Sequence, residues 1–148
     1  MEKLLSDSIS SQVREVFQQL KNPVQVMLFI SQAQAEACDI TRQLLEEVVE
    51  LSDNLNLIVY DLAVEPELAR LYKVAGKAPA IVMAAREGTQ ITDYGIRLLG
   101  VPSGHEFGTL IQDLLLVAGR DSGLSPQLRT YIKGLSKPLH LEVFVTPT

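Results

Sequence analysis

Asn22-Pro23-Val24-Gln25-Val26-Met27-Leu28-Phe29-Ile30 decides how the rest of the chain is read. Proline closes whatever precedes it, and the near-continuous apolar run Val24–Ile30 fits a strand covered on both faces. Residues 31–36 are small or polar and read as a loop. From Ala37 the apolar residues recur at helical spacing. Ile40, Leu44, Leu45, Val48, Val49 and Leu51 fall on one side, with Arg42, Gln43, Glu46, Glu47 and Glu50 on the other, a solvated face. Asn54 and Asn56 mark a turn, and 57–62 is a second apolar strand. Two strands joined through a helix over roughly forty residues make a parallel, right-handed crossover.

Upstream, Leu4, Leu5, Ile9, Val13, Val16, Phe17 and Leu20 trace an amphipathic helix that stops at Asn22-Pro23. Downstream, Glu65-Pro66 opens a short helix carrying Leu68, Leu71 and Tyr72, and Gly76 closes it. Strands follow at 80–84 and Gln90–Leu99; the short Glu87-Gly88 connection makes this pair antiparallel. Ser103-Gly-His-Glu106 has the spacing of a capping box, and the helix it opens carries Phe107, Leu110, Ile111, Leu114 and Leu115. The expected fold is α/β, a central mixed four-stranded sheet flanked by helices.

Composition agrees and removes several function classes. The 148 residues are 47% hydrophobic and 21% charged, as a globular domain requires. The net charge of −5 argues against a phosphate-tracking surface, so nucleic acid is excluded as a partner. One cysteine forms no internal disulfide, and with His105 and His140 it leaves too few ligands for a metal cluster, so neither metal nor cofactor is expected. No apolar run approaches the ~20 residues of a spanning helix, and the start of the chain lacks a signal-peptide pattern. A cytoplasmic setting is the default expectation.

The last residues start the pattern again. Ser125-Pro126 opens a helix with Leu128, Tyr131, Ile132 and Leu135 on one face, and Lys137-Pro138 leads into an apolar strand at 139–145. This repeats the helix, proline break and strand that end at Ile30. A period of about 115 residues suits duplicated domains rather than a solenoid. Residues 1–120 are thus expected to form one domain, and 121–148 the linker helix and first strand of a truncated second unit. The unpaired strand also makes a homodimer plausible, by addition to a neighbour's sheet edge.

Five landmarks carry a family resemblance: Asn22-Pro23-Val24, Cys38-Asp39, Ala78-Pro79-Ala80, Gly100-Val-Pro-Ser-Gly-His-Glu-Phe107 and Val143-Phe-Val-Thr-Pro-Thr148. In that order they resemble a thioredoxin fold, in particular the N-terminal unit of the tandem protein disulfide oxidoreductases, glutaredoxin-like proteins of thermophilic archaea and bacteria. The N-terminal domain of the flavoprotein subunit of alkyl hydroperoxide reductase is a second match through Gly-His-Glu-Phe. The resemblance implies thiol–disulfide exchange with protein or peptide thiol and disulfide partners. It also implies a Cys-x-x-Cys at the start of the first crossover helix, whose leading thiolate attacks and whose second cysteine resolves.

Here that motif reads Ala35-Glu36-Ala37-Cys38. Alanine occupies the attacking position and only the resolving sulfur remains, so dithiol exchange within these residues is chemically impossible. Cys38 is either a small buried thiol beside the Leu45 stripe or a reactive monothiol. Glu36 works against the second, because a neighbouring carboxylate disfavours the thiolate. The resemblance further implies a cis Pro79, with Ala78 and Pro79 marking a groove for a substrate strand. Asp61 is either a proton relay or a solvated strand end; His105 is expected to be structural and His140 to face solvent. Three functions follow: a redox-silent binding or scaffolding domain, a fragment of a two-unit oxidoreductase with its catalytic Cys-x-x-Cys beyond Thr148, or a peroxide-reduction accessory domain.

Overall fold

The computed structural model describes residues 3–146. Val24–Ile30 (β1), Leu55–Asp61 (β2), Ala80–Glu87 (β3) and Gln90–Leu99 (β4) form one sheet in the spatial order β2-β1-β3-β4. β1 is parallel to β2, from Val24↔Leu55 to Ile30↔Asp61, and antiparallel to β3. β3 and β4 close a hairpin at Glu87↔Gln90, where Gly88 takes a φ of +62° that other residues resist. Asp7–Phe17 (α1), Ala35–Val49 (α2), Pro66–Leu71 (α3), His105–Gly119 (α4) and Pro126–Lys133 (α5) complete the chain. The class is the mixed four-stranded α/β sheet that the pattern implies.

Strand alternation explains why β1 is apolar throughout. Val24, Val26 and Leu28 join Ile81, Met83 and Ala85 of β3 on one face, under α1, α2 and α4. Met27 and Phe29 join Ala80, Val82 and Ala84 on the other, with Ala69 of α3 and Val74. Phe29 is fully buried, its ring 5.3 Å from that of Tyr60 and 6.0 Å from that of Tyr72. Burying such a ring stabilises by about 1.5–3 kcal/mol. The one polar residue within β1, Gln25, is buried but satisfied: its amide donates to the carbonyls of Val26 and Asn56 and accepts from Asn56.

The structure differs from the sequence pattern at several places: Asn56, for one, lies within β2 rather than in a turn, and β3 runs on to Glu87. Residues 31–36 are not all loop: Gln32–Gln34 is a 3₁₀ turn and α2 starts at Ala35, two residues early, because Ser31 Oγ accepts from Ala33 N and begins the winding. The capping box does not form. Gly104, at φ +59°, is the N-cap of α4 and no side chain caps it, while the Ser103 N–H is taken by Val101 O. Glu47 is no solvated face residue: its carboxylate accepts from the backbone N–H groups of Leu4 and Leu5, at 2.9 and 2.8 Å. Residues 139–145 form no strand among the described residues, since none of the four strands pairs with them and their apolar side chains stay exposed. A strand without a neighbour has no ladder to satisfy its backbone.

One clamp has no counterpart in the pattern. Arg120, in the left-handed conformation that ends α4, donates to the carbonyls of Val117, Pro23 and Arg86. It thereby ties the helix end to the entrance of β1 and the exit of β3.

Candidate functional site

The site lies where β1 stops and α2 begins. Ser31, just beyond β1, and Cys38, one turn into α2, face each other. Ser31 N donates to Cys38 Sγ at 3.5 Å, and Sγ lies 3.7 Å from Ser31 O, to which it can donate in return. Cys38 is 2% exposed. It belongs to the stripe Cys38, Thr41, Leu45, Val48 that faces the sheet, with Thr41 Oγ1 donating to Ala37 O. The sulfur thus accepts one backbone N–H and is shut off from solvent.

Ala35, the first residue of α2, is exposed. With Ala33, Glu36, Ala37, Ile40 and Val101 it lines an open depression of about 430 Å³. Helical spacing assigns Ile40 to the buried stripe, yet it is 40% exposed at this rim. The 3-4-3 spacing of Cys38, Thr41, Leu45 and Val48 places it about a third of a turn off, a signal present in the sequence. Val101 enters through the loop after β4. The N–H of Gly100, at φ +92°, donates to Pro79 O at 2.9 Å, which fixes the loop against the start of β3. The Ala78–Pro79 bond is cis, Pro79 is buried and Ala78 half-buried. Among the described residues, neither backbone polar group of Ala78 has a backbone partner.

The fold thus joins Ala35 and Ala78-Pro79 through Gly100 and Val101, two loop residues that carry no chemistry of their own. Of the other sequence candidates, Asp61 sits opposite Ile30 at the end of β2. Asp61 Oδ1 accepts from Ala63 N at 2.8 Å, so its carboxylate holds the turn after β2. His105 is exposed at the start of α4. His140 is exposed and pairs with Glu142 at 2.8 Å. No group of three or more acidic, His or Cys side chains converges as metal ligands among the described residues. No helix is long and apolar enough to cross a membrane among them. A separate cavity of about 470 Å³ lies between β4 and α4, lined by Tyr94, Ile96, Asp113 and Leu116; burial pushes the Asp113 carboxyl up.

A mixed sheet in this order, with a crossover helix between β1 and β2 and a cis proline just before β3, has the fold of a thioredoxin-like domain. Its particular likeness is to two groups of redox proteins. The alkyl hydroperoxide reductase AhpF of Staphylococcus epidermidis is 25% identical over 145 residues, which is 98% of this chain and 25% of that protein. AhpF of Pseudomonas aeruginosa is 24% identical over 144 residues. This chain therefore spans about a quarter of the length of these curated relatives. Among solved structures, the NTD_N/C domain of AhpF from Enterococcus faecalis superposes with a TM-score of 0.77 at 26% identity, over 90% of this chain and 62% of that one. The protein disulfide oxidoreductase of Aeropyrum pernix gives 0.75 at 25% identity, over 88% of this chain and 55% of that one. No protein-family model matches the chain. Both groups named from the sequence landmarks are thus the ones it is similar to.

Proposed function

We propose that this chain is the binding or scaffolding unit of a thiol–disulfide exchange system, docking partner proteins without performing the exchange itself. The observation that carries this reading is the pair Ala35 and Cys38: a carbon stands where attack begins, and the remaining sulfur is turned onto Ser31. A disulfide is opened by a thiolate that displaces one of its sulfurs, and release from the mixed disulfide needs a second thiol. A single buried thiol supplies neither step. What the site retains is an open depression of mixed polarity and, tied to its Val101 wall through Gly100, the start of β3 with the Ala78 backbone free of backbone partners, an arrangement suited to an extended peptide. A cytoplasmic setting with peptide or protein partners is part of the same reading.

Two assays test it. With insulin and dithiothreitol the chain should give no turnover above the reductant alone. In native buffer, Cys38 should react with a thiol-specific reagent only as fast as the protein opens, and at once in denaturant. Turnover, or rapid alkylation of the native protein, would defeat the reading.

The exposed apolar segment 139–145 favours a further element of the proposal, that residues 121–148 begin a second thioredoxin-like unit. Its sequence aligns with β1, with Phe144 at the place of Phe29. The reading frame of the natural polypeptide tests this: a second domain with a Cys-x-x-Cys would make the chain part of a two-unit oxidoreductase, and a flavin-binding fold would make it a peroxide-reduction module. A chain that stops at Thr148 would remove both and leave pairing with a second copy, which light scattering would detect.

A further inference from the structure

The charge at the mouth of the depression is the reverse of what the start of a helix normally offers. An exposed helix N-terminus carries roughly +0.5 of an elementary charge and favours anions. Here Glu36 stands in the first turn of α2 and lines the depression itself. Asp39 is three residues on, on the same side of the helix, and both are exposed. Neither has an ion-pair partner among the described residues. Gln34, the N-cap, makes no side-chain cap bond that would add to either sign. One full carboxylate charge at the rim outweighs the half charge of the helix end, and Asp39 adds to it. The rest of the lining is uncharged, and most of it is small or aliphatic: Ala33, Ala35, Ala37, Ile40 and Val101.

From this we propose that the depression takes an extended segment of a partner protein in which an aliphatic side chain lies next to a lysine or arginine. The aliphatic group packs against Ile40 and Val101, and Glu36 selects the cation. This rests on the docking reading above and adds to it a residue that sets specificity. A segment with an acidic neighbour would meet like charge at the same rim.

The test uses two fluorescent seven-residue peptides, one with isoleucine beside lysine and one with isoleucine beside glutamate, titrated by anisotropy at low salt. Amide NMR shifts of Ala35, Glu36, Ala37 and Val101 report where they bind. The lysine peptide should bind roughly two- to fivefold tighter, the range of an exposed charge pair, and salt should erode the preference. Glu36→Gln should bring the two affinities together and Glu36→Lys should invert them; Glu36 is exposed, so neither substitution touches the core. Equal binding of both peptides, unchanged by Glu36→Lys, would overturn the assignment to Glu36 and leave the docking reading standing. Absence of binding and of shifts with either peptide would overturn both.

Discussion

β1 and the segment 139–145 carry nearly the same pattern and meet opposite fates. Each follows a proline, each has aliphatic residues at alternate positions, and each places a phenylalanine sixth in its run. β1 lies between two strands and under helices, and Phe29 is 0% exposed; Phe144 is 87% exposed and belongs to no strand pair among the described residues. An apolar run encodes the capacity to be a strand, while neighbours decide whether it becomes one. Strand stability is cross-strand and cross-layer stability.

Substitution at the matched phenylalanines probes that contrast most strongly. Phe29→Ala is expected to cost about 3–5 kcal/mol, a large part of a domain's stability, whereas Phe144→Ala should change it by less than about 0.5 kcal/mol in urea unfolding. Comparable losses would mean that the tail is packed in solution. Next comes the clamp that β1 has and the tail lacks: Arg120→Ala removes the side-chain donors to the carbonyls of Pro23, Arg86 and Val117, the first and last of which keep a backbone partner, and should cost about 1–2 kcal/mol. Hydrogen exchange in that variant should quicken first at the entrance of β1.

Two carboxylates make the stability of the sheet and its flanks depend on pH. Glu47 braces the N-terminal segment against α2, and Glu47→Ala should cost about 1–2 kcal/mol at neutral pH. Burial alone would raise its carboxyl, but the Leu4 and Leu5 N–H groups, Gln43 and Lys3 outweigh that and hold it below the ordinary 4.5. A depressed folded value means that the stabilisation is full above pH 4.5 and disappears as pH falls through the lowered value. The variant's deficit, followed by thermal melts, should vanish in acid. Asp113 is the smallest case and has the opposite sign. Burial raises its carboxyl above 3.8, so the charged form costs stability at neutral pH. Asp113→Asn should gain up to about 0.5 kcal/mol at pH 7, a gain that disappears below pH 3.8.

Much of the fold is legible in the primary structure because alternation and helical spacing are local properties. The crossover from β1 to β2, the hairpin of β3 and β4 and the helix after Gly104 all follow from residues within a few positions of one another. Of the missed features, one depends on partners distant in the chain and another on a local backbone turn. Glu47 reads as a surface acid until Leu4 and Leu5 arrive from 43 and 42 residues away. Ser103 reads as a cap until Gly104, by its backbone turn, takes that position. Half of the candidate site is legible, since Ala35 and Cys38 can be judged by their atoms alone. Ser31, Ile40 and Val101 are ordinary residues that matter only by where they lie.

The sequence alone settles the chemistry that these residues cannot do: with one sulfur atom in 148 side chains apart from methionine, no internal dithiol exists in any conformation. It also gives the order of strands and helices as far as α5, because periodicity is written into neighbouring residues. Tertiary structure alone decides that this sulfur is buried against Ser31, that Glu36 stands at the rim of a depression, and that one of two similar apolar segments is a strand. Those outcomes depend on contacts closed across the fold, where burial and hydrogen-bond satisfaction are shared among residues that no local pattern connects.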